Sequence, residues 1–110
     1  MRKAVVAVAV LSFLIAGGSQ ALWASTDFIV PPGPGDAPNA IAKGSDGNLW
    51  FTNFNGRTIG RITPTGVITK FAVPNAIDLD QIVLGPDGNL WFTDDGGDFI
   101  GSITTAGAIT

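Results

Sequence analysis

The sequence predicts an all-β chain built from repeated four-stranded antiparallel units. Three observations carry that prediction. A ten-residue phrase is written twice, GSDGNLWFTN at 44–53 and GPDGNLWFTD at 85–94. The stretches between turn signals are short apolar or alternating runs of strand length. Beyond the N-terminal segment, no stretch keeps the period of roughly 3.6 residues that a helix needs.

Position 44 aligned on position 85, an offset of 41, gives a match that continues without a gap. Gly56 meets Gly97, Ile59-Gly60 meets Ile100-Gly101, and Ile62-Thr63 meets Ile103-Thr104. Gly66 then meets Gly107, Ile68-Thr69 meets Ile109-Thr110, and Ile41 with Ile82 extends the match backwards. A period of this size is that of four-stranded propeller blades, about 40–45 residues each. A partial third copy precedes them: Phe28-Ile29-Val30-Pro31 resembles Phe71-Ala72-Val73-Pro74. The fold expected is therefore about two four-stranded antiparallel blades of an incomplete six- or seven-bladed ring.

The elements follow in order. Residues 1–21 carry a basic start (Arg2, Lys3), an apolar run over 4–16, and small residues at Ser19 and Ala21. That is the layout of a secretory signal peptide cleaved after Ala21, or alternatively after Ala24, with an uncleaved N-terminal anchor as the rival reading. The run is short for a membrane span, which takes roughly 20 residues. The mature part is then 22–110, and the chain is expected to be secreted or periplasmic, with no membrane contact after cleavage. Residues 24–30 read as the outer strand of the blade that closes the ring. The first full blade covers 39–73, and the second covers 80–110 with its last strand truncated.

Within a blade, a short strand (41–43 or 82–84) leads into a turn at Asp46-Gly47 or Asp87-Gly88. Asp-Gly is a strong hairpin signal, because Gly takes positive φ without steric cost. The runs 48–52 and 89–93 read as strands covered on both faces, and 58–63 and 99–104 as the next strands. Turns at 64–66 and 105–107 lead to 67–73 and to the stub 108–110. Trp50-Phe51 and Trp91-Phe92 are expected to fill the space between blades, a scaffold role with large buried area. The alternative for these aromatics is carbohydrate stacking.

Composition narrows the chemistry. The chain has 110 residues, no His, no Cys, no Tyr and a net charge of −3. All nine acidic residues are Asp. Without Cys there is no thiolate nucleophile, disulfide or lipoprotein anchor; without His the commonest general base is missing. No basic run is present, so nucleic acid is not an expected partner.

In an up-and-down blade the loops fall alternately on two faces. The face opposite the Asp-Gly turns collects the loops 53–57 and 94–98 and the inter-blade linkers 32–40 and 75–81. Ligand sites in such rings lie where loops converge. Candidate ligand or metal residues are therefore Asn39, Asn53, Arg57, Asp80, Gln81, Asp94, Asp95 and Asp98, with Asp78 nearby. The Asp residues read either as oxygen ligands for a hard cation such as Mg²⁺ or Ca²⁺, or as solvated turn residues bonding their own backbone. Arg57 could meet an anionic group. Arg61, inside a strand, is expected to pair with a carboxylate at a sheet edge. Asp46, Gly47, Trp50, Phe51, Asp87, Gly88, Trp91 and Phe92 read as structural.

The phrases "GPDGNLWFTD…IGSIT" and "GSDGNLWFTN…IGRITPTGVITKFAVP" resemble blades of the virginiamycin B lyase family, which inactivates streptogramins. The resemblance covers 28–110. The phrase is also similar to NHL-type and gluconolactonase-like propellers. The lyase resemblance implies ring opening of a streptogramin B-type cyclic depsipeptide by elimination at its ester, with a base removing a proton. It implies a catalytic His just before an inner strand, and a Mg²⁺-binding acid after the Trp-Phe of that blade. The corresponding stretches, Pro38-Asn39-Ala40-Ile41 and Leu79-Asp80-Gln81-Ile82, hold no His, and only the second unit has the acid, as Asp94 or Asp95. No catalytic residue is therefore assigned, and the chain alone is expected to be inactive, with Mg²⁺ a cofactor only of a full-length parent. Export itself argues against a dedicated antibiotic-resistance enzyme, whose ribosome-directed substrate acts in the cytoplasm.

A closed ring of six or seven blades needs roughly 250–290 residues. The chain is then a piece of a longer propeller whose remaining blades are its partners. Self-assembly into a ring is the rival, weakened because the second unit lacks most of its outer strand. Two other functions compete with the lyase reading. One is a non-catalytic secreted propeller that binds a small ligand, glycan or protein through its loop face. The other is a metal-dependent lactone-hydrolysing propeller.

Overall fold

The computed structural model describes residues 5–14, 21–31, 33 and 36–110. All elements described are strands: β1 (Val5–Leu14), β2 (Ala21–Ile29), β3 (Pro38–Lys43), β4 (Leu49–Asn53), β5 (Thr58–Ile62), β6 (Ile68–Ala72), β7 (Leu79–Leu84), β8 (Leu90–Asp94) and β9 (Phe99–Ile103). They form an antiparallel four-stranded sheet in the order β3-β4-β5-β6, a three-stranded sheet β7-β8-β9, and a two-stranded β1-β2 pair. These are the two repeated units with a lead-in. No helix among the described residues is long and apolar enough to cross a membrane.

The register repeats along with the sequence. Trp50 faces Arg61 and Phe51 faces Gly60 across β4-β5, while Trp91 faces Ser102 and Phe92 faces Gly101 across β8-β9. The glycines in these pairs are needed for space. A Cβ on Gly60 would run into the Phe51 ring, and one on Gly101 into the Phe92 ring. The Asp-Gly turns are as the sequence predicts, with Gly47 at φ 80° and Gly88 at φ 83°.

Several boundaries differ from the sequence reading, most by one residue. β3 and β7 begin at Pro38 and Leu79, so Asn39, Asp80 and Gln81 lie in strands rather than linkers. β4 and β8 run one residue further, to Asn53 and Asp94. The stub is a single bridge, Ile103 to Ile109, with paired amide bonds between Ser102 and Thr110. At the N-terminus, β2 pairs with β1 from Val5↔Ile29 to Leu14↔Ala21. Of the signal-peptide segment, 1–4 and 15–20 lie outside the described residues.

Two clusters make the core. Trp50, Ile59 and Val73 of the first unit pack with Leu79, Ile82, Leu90, Phe92 and Ile103 of the second. Phe51 and Ile62 pack on the opposite side with Val30, joined by Phe28. Val30 thus stands to Phe51 and Ile62 as Val73 stands to Phe92 and Ile103. The turn glycines confirm the equivalence: a Cβ on Gly66 would strike the Phe28 ring, and one on Gly107 the Phe71 ring. The short opening copy seen in the sequence occupies the place of an outer strand from a preceding unit.

Candidate functional site

The repeated phrase resolves into a hydrogen-bonded turn. The Asp46 carboxylate accepts from the Asn48 amide (3.1 Å), the Asn48 side chain (2.9 Å) and the Trp50 indole (3.1 Å). Asp87 repeats all three contacts with Asn89 and Trp91. Partial burial pushes the Asp46 carboxyl up, but the Trp50 and Asn48 donors outweigh it and hold it below the usual carboxylate range. At Asp87 the Trp91 indole is the leading cause of a shift in the same direction. The last Thr of the phrase ties units together: Thr52 Oγ1 accepts from Ala40 N (3.1 Å) and donates to the Asp80 carbonyl (2.8 Å). Asp46, Asn48, Trp50 and Thr52 of the phrase thus make contacts within the fold, and Asp87, Asn89 and Trp91 repeat those of the turn. Trp91 differs: it is 39% exposed.

On the loop face, five of the eight candidates line one open depression of about 710 Å³: Asp80, Gln81, Asp94, Asp95 and Asp98, with Thr93, Phe99 and Ile100. Asn39 stands at its side, donating to Asp80 Oδ1 at 2.9 Å. Gln81 donates to the same oxygen at 3.2 Å. The structure does not bring Asn53 or Arg57 to this depression. Asn53 is fully buried, donating to Thr58 Oγ1 at 2.8 Å while its Oδ1 has no partner. Arg57 is exposed at φ 55°, matching Asp98 at φ 56° in the second unit. The two loops share a backbone and carry opposite charges.

Asp94 lies at the floor and is only 2% exposed. Its Oδ2 accepts from Ile77 N (2.7 Å), and its Oδ1 from Asp78 N (3.0 Å) and Gly97 N (2.7 Å). Burial works against its charge, but the amides of Asp78, Ile77, Gly97 and Gly96 prevail and keep its carboxyl below the usual range. This side chain clamps the 75–78 and 95–97 segments to the sheet. It does not fit Mg²⁺ well, since backbone donors already occupy both oxygens. Among the described residues, no three acidic side chains converge as a metal set.

Arg61 is not at an edge with a carboxylate. It lies between the units, its guanidinium carbon 5.6 Å from the Trp50 ring centre and 5.4 Å from that of Phe71, and it donates to the Thr105 carbonyl at 3.2 Å. Desolvated cation–π contacts of this kind are favourable, and the ring pair offers a better partner than solvent. Among the described residues the ion pair is Lys70–Asp36, reinforced by donation from Lys70 to the Pro31 carbonyl at 2.7 Å. The doubled Asp-Gly-Asn-x-Trp spacing is a usable signal for the indole bond, while nothing in the residue pattern marks the roles of Arg61 or Lys70.

Comparison with known proteins agrees with the repeat. The model of the virginiamycin B lyase family matches residues 23–110. Virginiamycin B lyases of Bordetella bronchiseptica and Bordetella pertussis are each 42% identical over 43 residues, 39% of this chain and 14% of theirs. Among solved structures, virginiamycin B lyase from Staphylococcus aureus superposes with a TM-score of 0.76 at 40% identity, over 80% of this chain and 30% of that one. A catalytically inactive variant of that enzyme, solved with quinupristin, superposes equally well. A streptogramin B lyase structure gives a TM-score of 0.74 at 36% identity over the same shares. The chain thus matches less than a third of the length of each of these relatives.

Proposed function

The chain belongs to the virginiamycin B lyase family, and from that premise we propose that it is part of an exported lyase-like β-propeller whose whole form opens streptogramin B-type rings. The observation that carries the reading is the family match over 23–110 together with blade-for-blade agreement of register. The reaction is elimination at the ester: a base takes a proton and the ester C–O bond breaks. This stretch holds no His, and its one deeply buried carboxylate is engaged by backbone amides. The base therefore comes from other blades of the whole protein, and this chain contributes architecture and part of the loop face. Any Mg²⁺ belongs to that whole protein as well. Residues 1–21 act as the export signal.

Quinupristin incubated with the chain alone, followed by mass spectrometry, is expected to stay cyclic. Ring opening above the buffer rate would overturn the assignment of the base to other blades.

A second reading, a non-catalytic secreted propeller that binds through its loop face, is favoured by the open depression around Asp80, Gln81, Asp95 and Asp98. Calorimetric titration of the chain with Mg²⁺ is expected to give no saturable heat and no change in melting. A saturating heat lost in Asp95→Asn would show instead that this depression is a cation site.

A further inference from the structure

Four places in the chain set Asn or Asp directly before Gly: Asp46-Gly47, Asn55-Gly56, Asp87-Gly88 and Asp95-Gly96. All four carry the same latent reaction, in which the glycine nitrogen attacks the side-chain carbonyl carbon of the residue before it and closes a cyclic imide. Glycine favours the attack because it has no Cβ to hinder the backbone rotation required. The reaction needs a free glycine nitrogen and an uncharged acyl group, since an ionised carboxylate is a poor electrophile.

The fold withholds these from the Asp-Gly pairs. Gly47 N donates to the Gly44 carbonyl at 3.3 Å, and Gly88 N to the Gly85 carbonyl at 3.2 Å. The Asp46 and Asp87 carboxylates are each held by an Asn amide, an Asn side chain and an indole. Both carboxyls lie below the usual range, Asp46 against the pull of its partial burial and Asp87 chiefly through Trp91. In the fourth pair, Asp95 N is tied to the Asp78 carbonyl at 3.0 Å, and the Gly96 amide turns to the Asp94 carboxylate. Gly97 N adds a bond to Asp94 Oδ1 at 2.7 Å.

Asn55-Gly56 escapes these restraints. Its turn, 54–57, is fastened at the ends, by Phe54 N to the Ala37 carbonyl (3.0 Å) and by Val73 N to the Arg57 carbonyl (2.9 Å). Its middle is not. Asn53 stands where Asp94 stands, but its buried Oδ1 has no partner, so the bond that holds Gly97 N is not made to Gly56 N. Among the described residues no backbone carbonyl takes the Gly56 N–H. Asn55 is exposed, and its side-chain amide is neutral, which makes Asn a thermolabile residue where an Asp is not.

We propose that Asn55 is a self-modification site of the folded protein, deamidated through the Gly56 nitrogen with water as co-reactant. Gly56 N bonds to Asn55 Cγ, the Cγ–Nδ2 bond breaks, and ammonia leaves with the proton that Gly56 N gives up. Water then opens the imide at either carbonyl, giving aspartate or isoaspartate. The change is one-way and adds a single negative charge to the net −3. That charge appears on the loop face, beside Arg57, in the loop equivalent to the acidic 94–98 loop. The isoaspartate also lengthens the backbone of a turn whose ends are fixed by the Asn53↔Thr58 pair. The site draws nothing from other blades and stands apart from the lyase reading.

The test incubates the full chain for days at body temperature in mildly alkaline buffer, in parallel without urea and unfolded in urea. Tryptic peptides are then mapped by mass spectrometry. The peptide 44–57 is expected to gain one mass unit at Asn55 and to split into two products, at a folded rate within a few-fold of the unfolded rate. The three Asp-Gly pairs, read by chromatographic splitting without change of mass, should isomerise many-fold more slowly in the folded chain. Asn55→Gln removes the mass gain and leaves Asp46 readable in the same peptide. Asn53→Asp restores the acceptor present at Asp94 and is expected to slow deamidation of Asn55 several-fold. An Asn55 protected by folding as strongly as the Asp-Gly pairs overturns the proposal. Equal rates with and without urea at all four pairs also overturn it, because the fold then selects nothing. So does an unchanged Asn55 rate in an Asn53→Asp chain that melts with the parent.

Discussion

Asp94→Ala is expected to destabilise the second unit by about 3 kcal/mol or more. Three backbone amides, from Ile77, Asp78 and Gly97, lose a charged acceptor at once. Hydrogen bonds to charged groups contribute about 1.5–3 kcal/mol each, and a buried donor left without a partner costs about 1–3. The losses do not add fully, since part of the loop can relax toward water. Asp94→Asn keeps the shape and should cost less, because one amide oxygen still accepts. Its carboxyl is held below the usual range when folded, so its contribution to stability is fully present above the unfolded value of about 3.9 and is lost as pH falls through the lower folded value. Urea midpoints followed by circular dichroism between pH 7 and pH 2 would show this as a steep decline below about pH 4. The decline should be shallower in Asp94→Asn; equal slopes would refute the clamp.

Trp50→Ala is expected to cost about 3–5 kcal/mol, the range for removing a buried large aromatic. Trp50 is fully buried, lies 5.5 Å from Phe71 at 19° between ring planes, and supports the Arg61 guanidinium. The same substitution in the second copy of the phrase, Trp91→Ala, should cost under about 1 kcal/mol in dilute chain, because that ring is 39% exposed and surface positions change little. Each donates its indole N–H to the equivalent Asp of its own turn, Trp50 to Asp46 and Trp91 to Asp87, so the difference measures the neighbouring unit and not the turn. Equal losses in equilibrium denaturation would mean that the second face is covered in the monomer.

Most of the architecture could be read from the residues because a period of 41 states where each strand recurs, and Asp46-Gly47 and Asp87-Gly88 mark the same hairpin twice. What the pattern could not give is which unit a side chain meets. Arg61 looked like an edge residue, since its strand neighbours do not reveal that the Trp50 and Phe71 rings of its own unit and the Thr105 carbonyl of the next converge on it. The loop candidates divided for a related reason. Asn53 and Asp94 hold equivalent places, yet Phe28 precedes Phe71 by 43 residues whereas the phrase recurs after 41, so the first linker is two residues longer. Donors that meet Asp94 have no counterpart on Asn53, whose buried Oδ1 stays unpaired. The depression itself was anticipated as a face and in five of its residues, Asp80, Gln81, Asp94, Asp95 and Asp98. That one of them serves the fold depends on loop geometry no spacing rule contains.

The fit of Phe28 against Gly66, repeated by Phe71 against Gly107, bears on how such a chain can change length. Each turn glycine accepts a ring from the unit before it, and each unit offers a ring to the unit after. The junction is the same wherever it occurs. Adding or deleting one whole unit leaves every junction with its two partners, and the two extra residues of the first linker are taken up without loss of either junction. Growth and loss in this architecture are therefore counted in units, and a gene that gains or sheds one period still encodes a continuous core.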